Sequence, residues 1–117
     1  MRIVAGRFKG KRILPPKQIT ARPTTDFAKE ALFNILQHSI ALDGIRVLDL
    51  FAGAGGISLE FLSRGALEVT GVEQDAVLYK HLQRTSRQLG ITNWHLVKAD
   101  VFHYLATARG PFDVVFA

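Results

Sequence analysis

Five positions in this chain have the residue types and spacing for ligand chemistry. Asp49 lies within an apolar run, Gly53 and Gly55 sit in the turn after it, and Glu73 and Asp100 stand at the ends of later apolar runs. Glycine lets backbone approach a ligand where a Cβ would collide, and a helix that follows such a turn offers its unpaired N–H groups. A Gly-x-Gly between strand and helix is a weak signal alone, since an ordinary strand–helix turn uses the same residues. Glu73 strengthens it: it falls 18 residues after Gly55, where an acid ending the next strand can accept both hydroxyl protons of a ribose. Asp100 suits an adenine amino group, with capping of a helix from Val101 as its alternative use.

Two details bear on which ribose-containing ligand is meant. A pyrophosphate fingerprint places a third glycine three positions beyond the second, where this chain has Ser58. That fingerprint also has no use for an acid four residues before its first glycine, the place of Asp49. Asp49 instead suits a ligand with a cationic amine and a sulfonium. These points favour S-adenosylmethionine over NAD.

The elements that must position these residues follow from the apolar pattern. Runs at 45–50, 69–73, 94–99 and 112–117 read as strands. Helices are predicted over 56–64, from an Asp75 cap to about Leu89 with Gly90 as the stop, and over 101–108. Strands alternating with helices of this length predict an α/β fold, a Rossmann-like doubly wound parallel sheet. Its carboxyl edge collects the glycine turn, Glu73 and Asp100. Upstream, residues 2–5 and 12–14 flank Gly-Arg-Phe-Lys-Gly-Lys and predict a small hairpin ended by Pro15-Pro16. Residues 17–23 read as a linker. A helix starting at Pro23-Thr24-Thr25 carries Ala28, Ala31, Leu32, Ile35 and Leu36 at helical spacing. Phe27, Phe33 and Trp94 read as core aromatics.

The formal charge of +5 over 117 residues is unevenly spread. Residues 1–22 hold Arg2, Arg7, Lys9, Lys11, Arg12, Lys17 and Arg22 and no acid, whereas residues 45–117 balance seven basic groups with seven acids. The expected organisation is therefore a basic N-terminal hairpin or arm, 1–22, on an electrically balanced body, 23–117. Such an arm suits a polyanion, because each cation near a phosphate releases condensed counterions; a solvated, flexible terminus is the plainer alternative.

Read as Asp49-Leu-Phe-Ala-Gly-Ala-Gly55, the glycine turn resembles motif I of the Class I methyltransferases. With Arg2-Ile-Val-Ala-Gly-Arg-Phe-Lys-Gly-Lys-Arg12, Arg22-Pro-Thr24 and Lys29-Glu-Ala-Leu-Phe-Asn-Ile-Leu36, the whole chain resembles the bacterial 16S ribosomal RNA (guanine-N2) methyltransferase family. The resemblance implies that Asp49, Phe51, Ala52, Gly53 and Gly55 hold the methionine end of S-adenosylmethionine. It implies further that Glu73 takes the ribose hydroxyls and Asp100, with the Val101 backbone, the adenine. The arm residues Arg7, Phe8, Lys9, Lys11, Arg12 and Arg22 would grip 16S ribosomal RNA or a small-subunit assembly particle. Another RNA, or an adenine N6 in DNA, is the alternative substrate; an NAD-binding oxidoreductase or a non-catalytic nucleic-acid-binding module is the alternative class.

Enzymes of this kind carry an Asn/Asp-Pro-Pro-Tyr/Phe loop directly after strand four, and the present sequence stops at Ala117 where it should begin. The expectation is the first four strands of the methyltransferase fold, a partial S-adenosylmethionine-binding domain with no catalytic residue of its own. Such a fragment is expected to be inactive and to self-associate through a bare strand edge, while the full-length protein is expected to be a monomer. The composition excludes other chemistry. Without Cys there is no disulfide or thiolate zinc site, and His38, His81, His95 and His103 lack metal spacing. Ser58 and Ser63 have no His–acid partners, and no phosphate-loop motif for triphosphate cleavage occurs. No apolar run approaches the ~20 residues of a membrane span and no leader opens the chain, so a cytoplasmic protein is expected. Lys80, Arg84 and Arg87, on one helix face, read as a solvated surface rather than an RNA track.

Overall fold

In the computed structural model, which describes residues 1–16 and 25–117, four short strands lie parallel and each crossover between them is a helix. The elements are α1 (Asp26–Ser39), β1 (Arg46–Asp49), α2 (Gly56–Ser63), β2 (Glu68–Glu73), α3 (Ala76–Gln88), β3 (Trp94–Lys98), α4 (Val101–Leu105) and β4 (Val114–Phe116). Strand order is β3-β2-β1-β4, so the winding reverses at β1. In open α/β sheets ligands bind beyond the carboxyl ends of the strands near such a reversal. Register places Asp49 beside Gly71 of β2 and Phe116 of β4.

Strand alternation sends side chains to two faces. Val47, Val69 and Trp94 pack with Leu59, Phe61, Leu62 and Leu82 from α2 and α3 into the larger core. Leu48, Leu50 and Val72 face the other way, where Val101 and Tyr104 of α4 cover them. The doubly wound sheet expected from the sequence is therefore present, although α4 and β4 are shorter than their apolar runs. Among the described residues no helix is long and apolar enough to cross a membrane.

The basic N-terminus is a docked hairpin. Arg2 and Arg12 form an antiparallel bridge, the Ile3 N–H donates to the Lys11 carbonyl, and the Ile13 N–H to that of Met1. Ile3 and Ile13 are buried in the main core. The Arg7 and Phe8 N–H groups donate to the Ser63 carbonyl and hydroxyl at 2.8 and 2.9 Å. A Cβ on Gly6 would fall 1.9 Å from the Ser63 carbonyl oxygen, so only glycine permits this approach. A freely solvated terminus is thus excluded for residues 1–16; the linker expected at 17–23 lies outside the described residues.

What fastens the hairpin is a buried ionic cluster. Glu60 on α2 is wholly buried and accepts hydrogen bonds from the Val4 and Ala5 N–H groups. Its carboxylate also pairs with Lys29 at 3.3 Å and Arg64 at 2.8 Å. Lys29, fully buried, donates to the Arg2 carbonyl as well. This shifts the buried side of α1 from the one its apolar residues mark. Lys29 and Phe33 face inward with Leu32 and Leu36 packed partly beside them, while Ala28, Ala31 and Ile35 are exposed and Phe27 is 84 % exposed. Phe27 is therefore not a core aromatic; Phe33 and Trp94 are.

Candidate cofactor crevice

The turn from β1 into α2 is rigidly tied. The Ala52 N–H donates to the Val72 carbonyl, the Gly55 N–H to that of Ala52, and the Gly53 N–H to Glu73 Oε1 at 2.9 Å. Gly55 adopts φ +96°, and a Cβ there would meet Leu82 and Trp94 at 3.0 Å. The space that glycine leaves is thus filled by the protein's own core, a different reason for glycine from the ligand approach expected from the sequence.

Asp49 ends β1 directly beneath this turn and is fully buried. It accepts a hydrogen bond from the Ser58 hydroxyl at 2.7 Å and from the Phe51 N–H at 3.4 Å. The anion at the start of α2 is therefore the protein's own carboxylate. Burial pushes the Asp49 carboxyl above its ordinary value; the Ser58 and Phe51 hydrogen bonds oppose this, and the charge of nearby Glu73 adds to it. Two carboxylates within electrostatic reach favour a cationic ligand. They disfavour a pyrophosphate, which would also find the Gly53 and Gly55 N–H groups already taken.

Glu73 and Asp100 line one hollow of about 230 Å³, together with Leu50, Phe51, Val72 and Phe102 among others. The juxtaposition expected from the sequence is therefore present. Glu73 Oε2 accepts from the Asp75 N–H at 2.9 Å. A carboxylate has about four acceptor positions, so two remain for a pair of ribose hydroxyls. Asp100 Oδ1 caps α4 by accepting from the His103 N–H at 3.0 Å. Capping and ligand binding are compatible here, since Oδ2 has no hydrogen-bond partner among the described residues. The apolar walls Leu50, Val72, Val101 and Phe102 can sandwich a flat base. At about 230 Å³ the hollow is smaller than the ~300–1,000 Å³ of whole-ligand pockets, so it fits a nucleoside, with the rest of the ligand lying over the Phe51–Gly55 turn.

Phe51 is 65 % exposed beside the turn, Ala52 is buried within it, and Val101 forms part of the wall. Leu50, Val72, Gln74, Ala99 and Phe102 were not singled out from sequence. Phe102 had a signal, an exposed aromatic two residues after the strand-ending acid. Of the arm residues, Arg7, Lys9, Lys11 and Arg12 are exposed, and the Arg7 guanidinium lies 4.4 Å from the centre of the Phe8 ring. Phe8 itself is half-buried against the main core. Arg22 lies outside the described residues.

The whole chain, residues 1–117, matches the model of the family described as conserved hypothetical protein 95. It is similar to ribosomal RNA small subunit methyltransferase D of Escherichia coli (strain K12), 34 % identical over 116 residues, 99 % of this chain and 58 % of that protein. The solved structure of yhhF from Escherichia coli superposes with a TM-score of 0.87 at 33 % identity, covering 98 % of this chain and 61 % of that one. A protein-L-isoaspartate O-methyltransferase shares the fold at a TM-score of 0.61 and 25 % identity, over 80 % of this chain and 29 % of that one. The chain thus spans about three-fifths of the length of the first two proteins. On the match over its full length, and on a parallel sheet shared with methyltransferases, the chain belongs to the conserved hypothetical protein 95 family and has the Class I methyltransferase fold.

Proposed function

We propose that the crevice binds S-adenosylmethionine and that the full-length protein methylates the exocyclic N2 of a guanine in 16S ribosomal RNA. The observation that carries the first part is the position of Asp49: it fills the anion site at the start of α2 and leaves a carboxylate-lined crevice for a cationic ligand. In this reading Glu73 holds the ribose hydroxyls and Asp100 Oδ2, with the Val101 backbone, the adenine. Asp49 fixes the turn through Ser58 and the Phe51 N–H, and its charge favours the ammonium and sulfonium at the methionine end. Phe51, Ala52, Gly53 and Gly55 form the surface on which that end rests.

The cofactor supplies a methyl group already activated by its sulfonium. The protein's task is then chiefly alignment, so a rigid crevice is what the chemistry requires. The RNA part of the proposal rests on the relative named for small-subunit ribosomal RNA and on the hairpin residues Arg7, Phe8, Lys9, Lys11 and Arg12. A guanine must also leave its stack to present its amine. We place the protein in the bacterial cytoplasm, where its RNA substrate is made.

Calorimetry with S-adenosylhomocysteine and with NAD tests the cofactor reading. Heat of binding with the first alone is expected; binding of NAD alone would overturn it. For the reaction, full-length protein is incubated with isotopically labelled donor and small-subunit RNA, and the label is expected at guanine N2 by mass spectrometry. Label on another base or only on DNA would replace the substrate, and no transfer to any nucleic acid would reject the reaction.

A further inference from the structure

Between the second limb of the hairpin and α3 runs a groove of about 300 Å³, lined by Lys11 and Arg12 on one side and by His81, Arg84 and Gln88 on the other. Its two walls, residues 11–14 and 81–89, are far apart in the chain and are brought together by the docking of the hairpin. No lining residue is acidic, and α3 contains no Asp or Glu at any of its 13 positions. Among the described residues, the ion pairs are Lys29–Glu60, Arg46–Glu68, Arg64–Glu60 and His95–Glu68, so none involves Lys11, Arg12 or Arg84. A merely solvated helix face more often interleaves both signs; here three exposed cations face one channel.

The groove also adjoins the cofactor turn. His81, buried in its floor, lies with Nε2 3.2 Å from the Ala54 carbonyl of that turn. Burial pushes this imidazole below its ordinary value, an effect the Ala54 contact opposes and Arg84 adds to, so at neutral pH it serves as a neutral wedge and the groove's charge is that of Lys11, Arg12 and Arg84.

We propose that this groove is a phosphate track for the RNA substrate, with Lys11 and Arg12 on one side of the sugar–phosphate backbone and Arg84 on the other. It rests on the RNA reading above and extends it to α3, which the sequence pattern marks as solvent-facing. Among the described residues, the track adjoins the turn only through the His81–Ala54 contact.

The test uses the full-length protein and a fluorescein-labelled single-stranded RNA of small-subunit sequence, with anisotropy followed over a KCl series. Each phosphate contact on a single strand contributes about 0.7 to the slope of log K against log salt, about fivefold in affinity near 0.1 M. Arg84→Gln should therefore weaken binding about fivefold and Lys11→Gln/Arg84→Gln about 25-fold, flattening the slope by about 0.7 and 1.4. Arg87→Gln, on α3 but lining a separate hollow, should leave binding unchanged, and S-adenosylhomocysteine affinity should stay constant throughout. Groove variants that bind with parental affinity and slope, while the parent binds RNA, would overturn the track and leave the RNA reading standing. A parent with no salt-dependent RNA binding would overturn both. Displacement of the RNA by polyglutamate at equal charge would reassign the groove to an acidic protein. Loss of binding in Arg87→Gln equal to that in Arg84→Gln would reduce the effect to net charge and reject the track.

Discussion

Replacing Glu60 by alanine tests what holds the basic hairpin against the sheet. The carboxylate takes four donors: the Val4 and Ala5 N–H groups, the Lys29 ammonium and the Arg64 guanidinium. Its removal leaves Lys29 fully buried with only the Arg2 carbonyl as a partner among the described residues and strips two hairpin amides of their acceptor. Breaking one side of a buried pair costs about 3–5 kcal/mol, a large share of the about 5–15 kcal/mol that stabilises a typical domain. With a urea m value of about 2 kcal/mol per molar, the unfolding midpoint should fall by about 2 M. Trp94, the single tryptophan and 6 % exposed in the same core as Ile3 and Ile13, reports the transition by fluorescence. Hydrogen exchange at Val4 and Ala5 separates hairpin release from global unfolding. A second variant, Lys29→Met/Glu60→Leu, removes the buried Lys29 charge, leaves Arg64 as the cation without its carboxylate, and should recover part of the loss, since an apolar pair of similar volume often matches a buried ion pair. A Glu60→Ala midpoint within about 0.3 M of the parent, with Val4 and Ala5 still protected, would refute the reasoning. The same cluster sets an acid limit. Burial alone would raise the Glu60 carboxyl, yet the Val4, Arg64, Ala5 and Lys29 contacts together hold it below its ordinary 4.5. A carboxyl lowered on folding adds stability above its unfolded value and loses it as pH falls through the folded one, so Glu60→Gln should flatten the loss of stability below pH 4.5.

Glu73→Gln should weaken S-adenosylhomocysteine binding about ten- to hundredfold by calorimetry, the effect of losing a charged hydrogen-bond acceptor worth about 1.5–3 kcal/mol; unchanged affinity would remove Glu73 from the ribose site. Asp49 shifts the other way from Glu60, so its ionised form is the destabilised one: its contribution to stability is present below its unfolded value and is lost as pH rises through the raised folded value. S-adenosylmethionine affinity, which the ionised form favours, should accordingly fall as pH drops through that raised value, and Asp49→Asn should flatten this dependence in calorimetry across pH. Gly55→Ala forces a side chain to φ +96° against Leu82 and Trp94 and should cost about 1–3 kcal/mol, read from the urea midpoint. β4 lies at the sheet edge with its outer ladder unpaired among the described residues, so light scattering of residues 1–117 should show association that grows with concentration.

How much of this could be read from the sequence depends on the range of the interactions. The strand–turn–helix around Gly53 and Gly55, the cap at Asp75, and the alternation of strands with helices are set by residues a few positions apart and appear as expected, as does the Asp100 cap weighed as an alternative use. The meeting of Glu73 and Asp100 at one rim was also legible, because parallel strands joined by right-handed crossovers put their carboxyl ends on one edge. The buried face of α1 was not. Periodicity marks Ala28, Ala31, Leu32, Ile35 and Leu36, of which Leu32 and Leu36 do pack against the core; but Lys29 goes inside because its partner Glu60 stands 31 positions away, and no local pattern encodes a buried ion pair. For the same reason Phe27 is exposed, and the hairpin is part of the core rather than an appendage. The use of Gly55 to clear Trp94, and of Asp49 to fill the anion site at the start of α2, likewise required the packed structure. Composition and short spacing determine which elements form and in what order; which charges are buried, which remain free, and which distant surfaces face one another are decided only when the elements pack, because those energies depend on distances the linear chain does not contain.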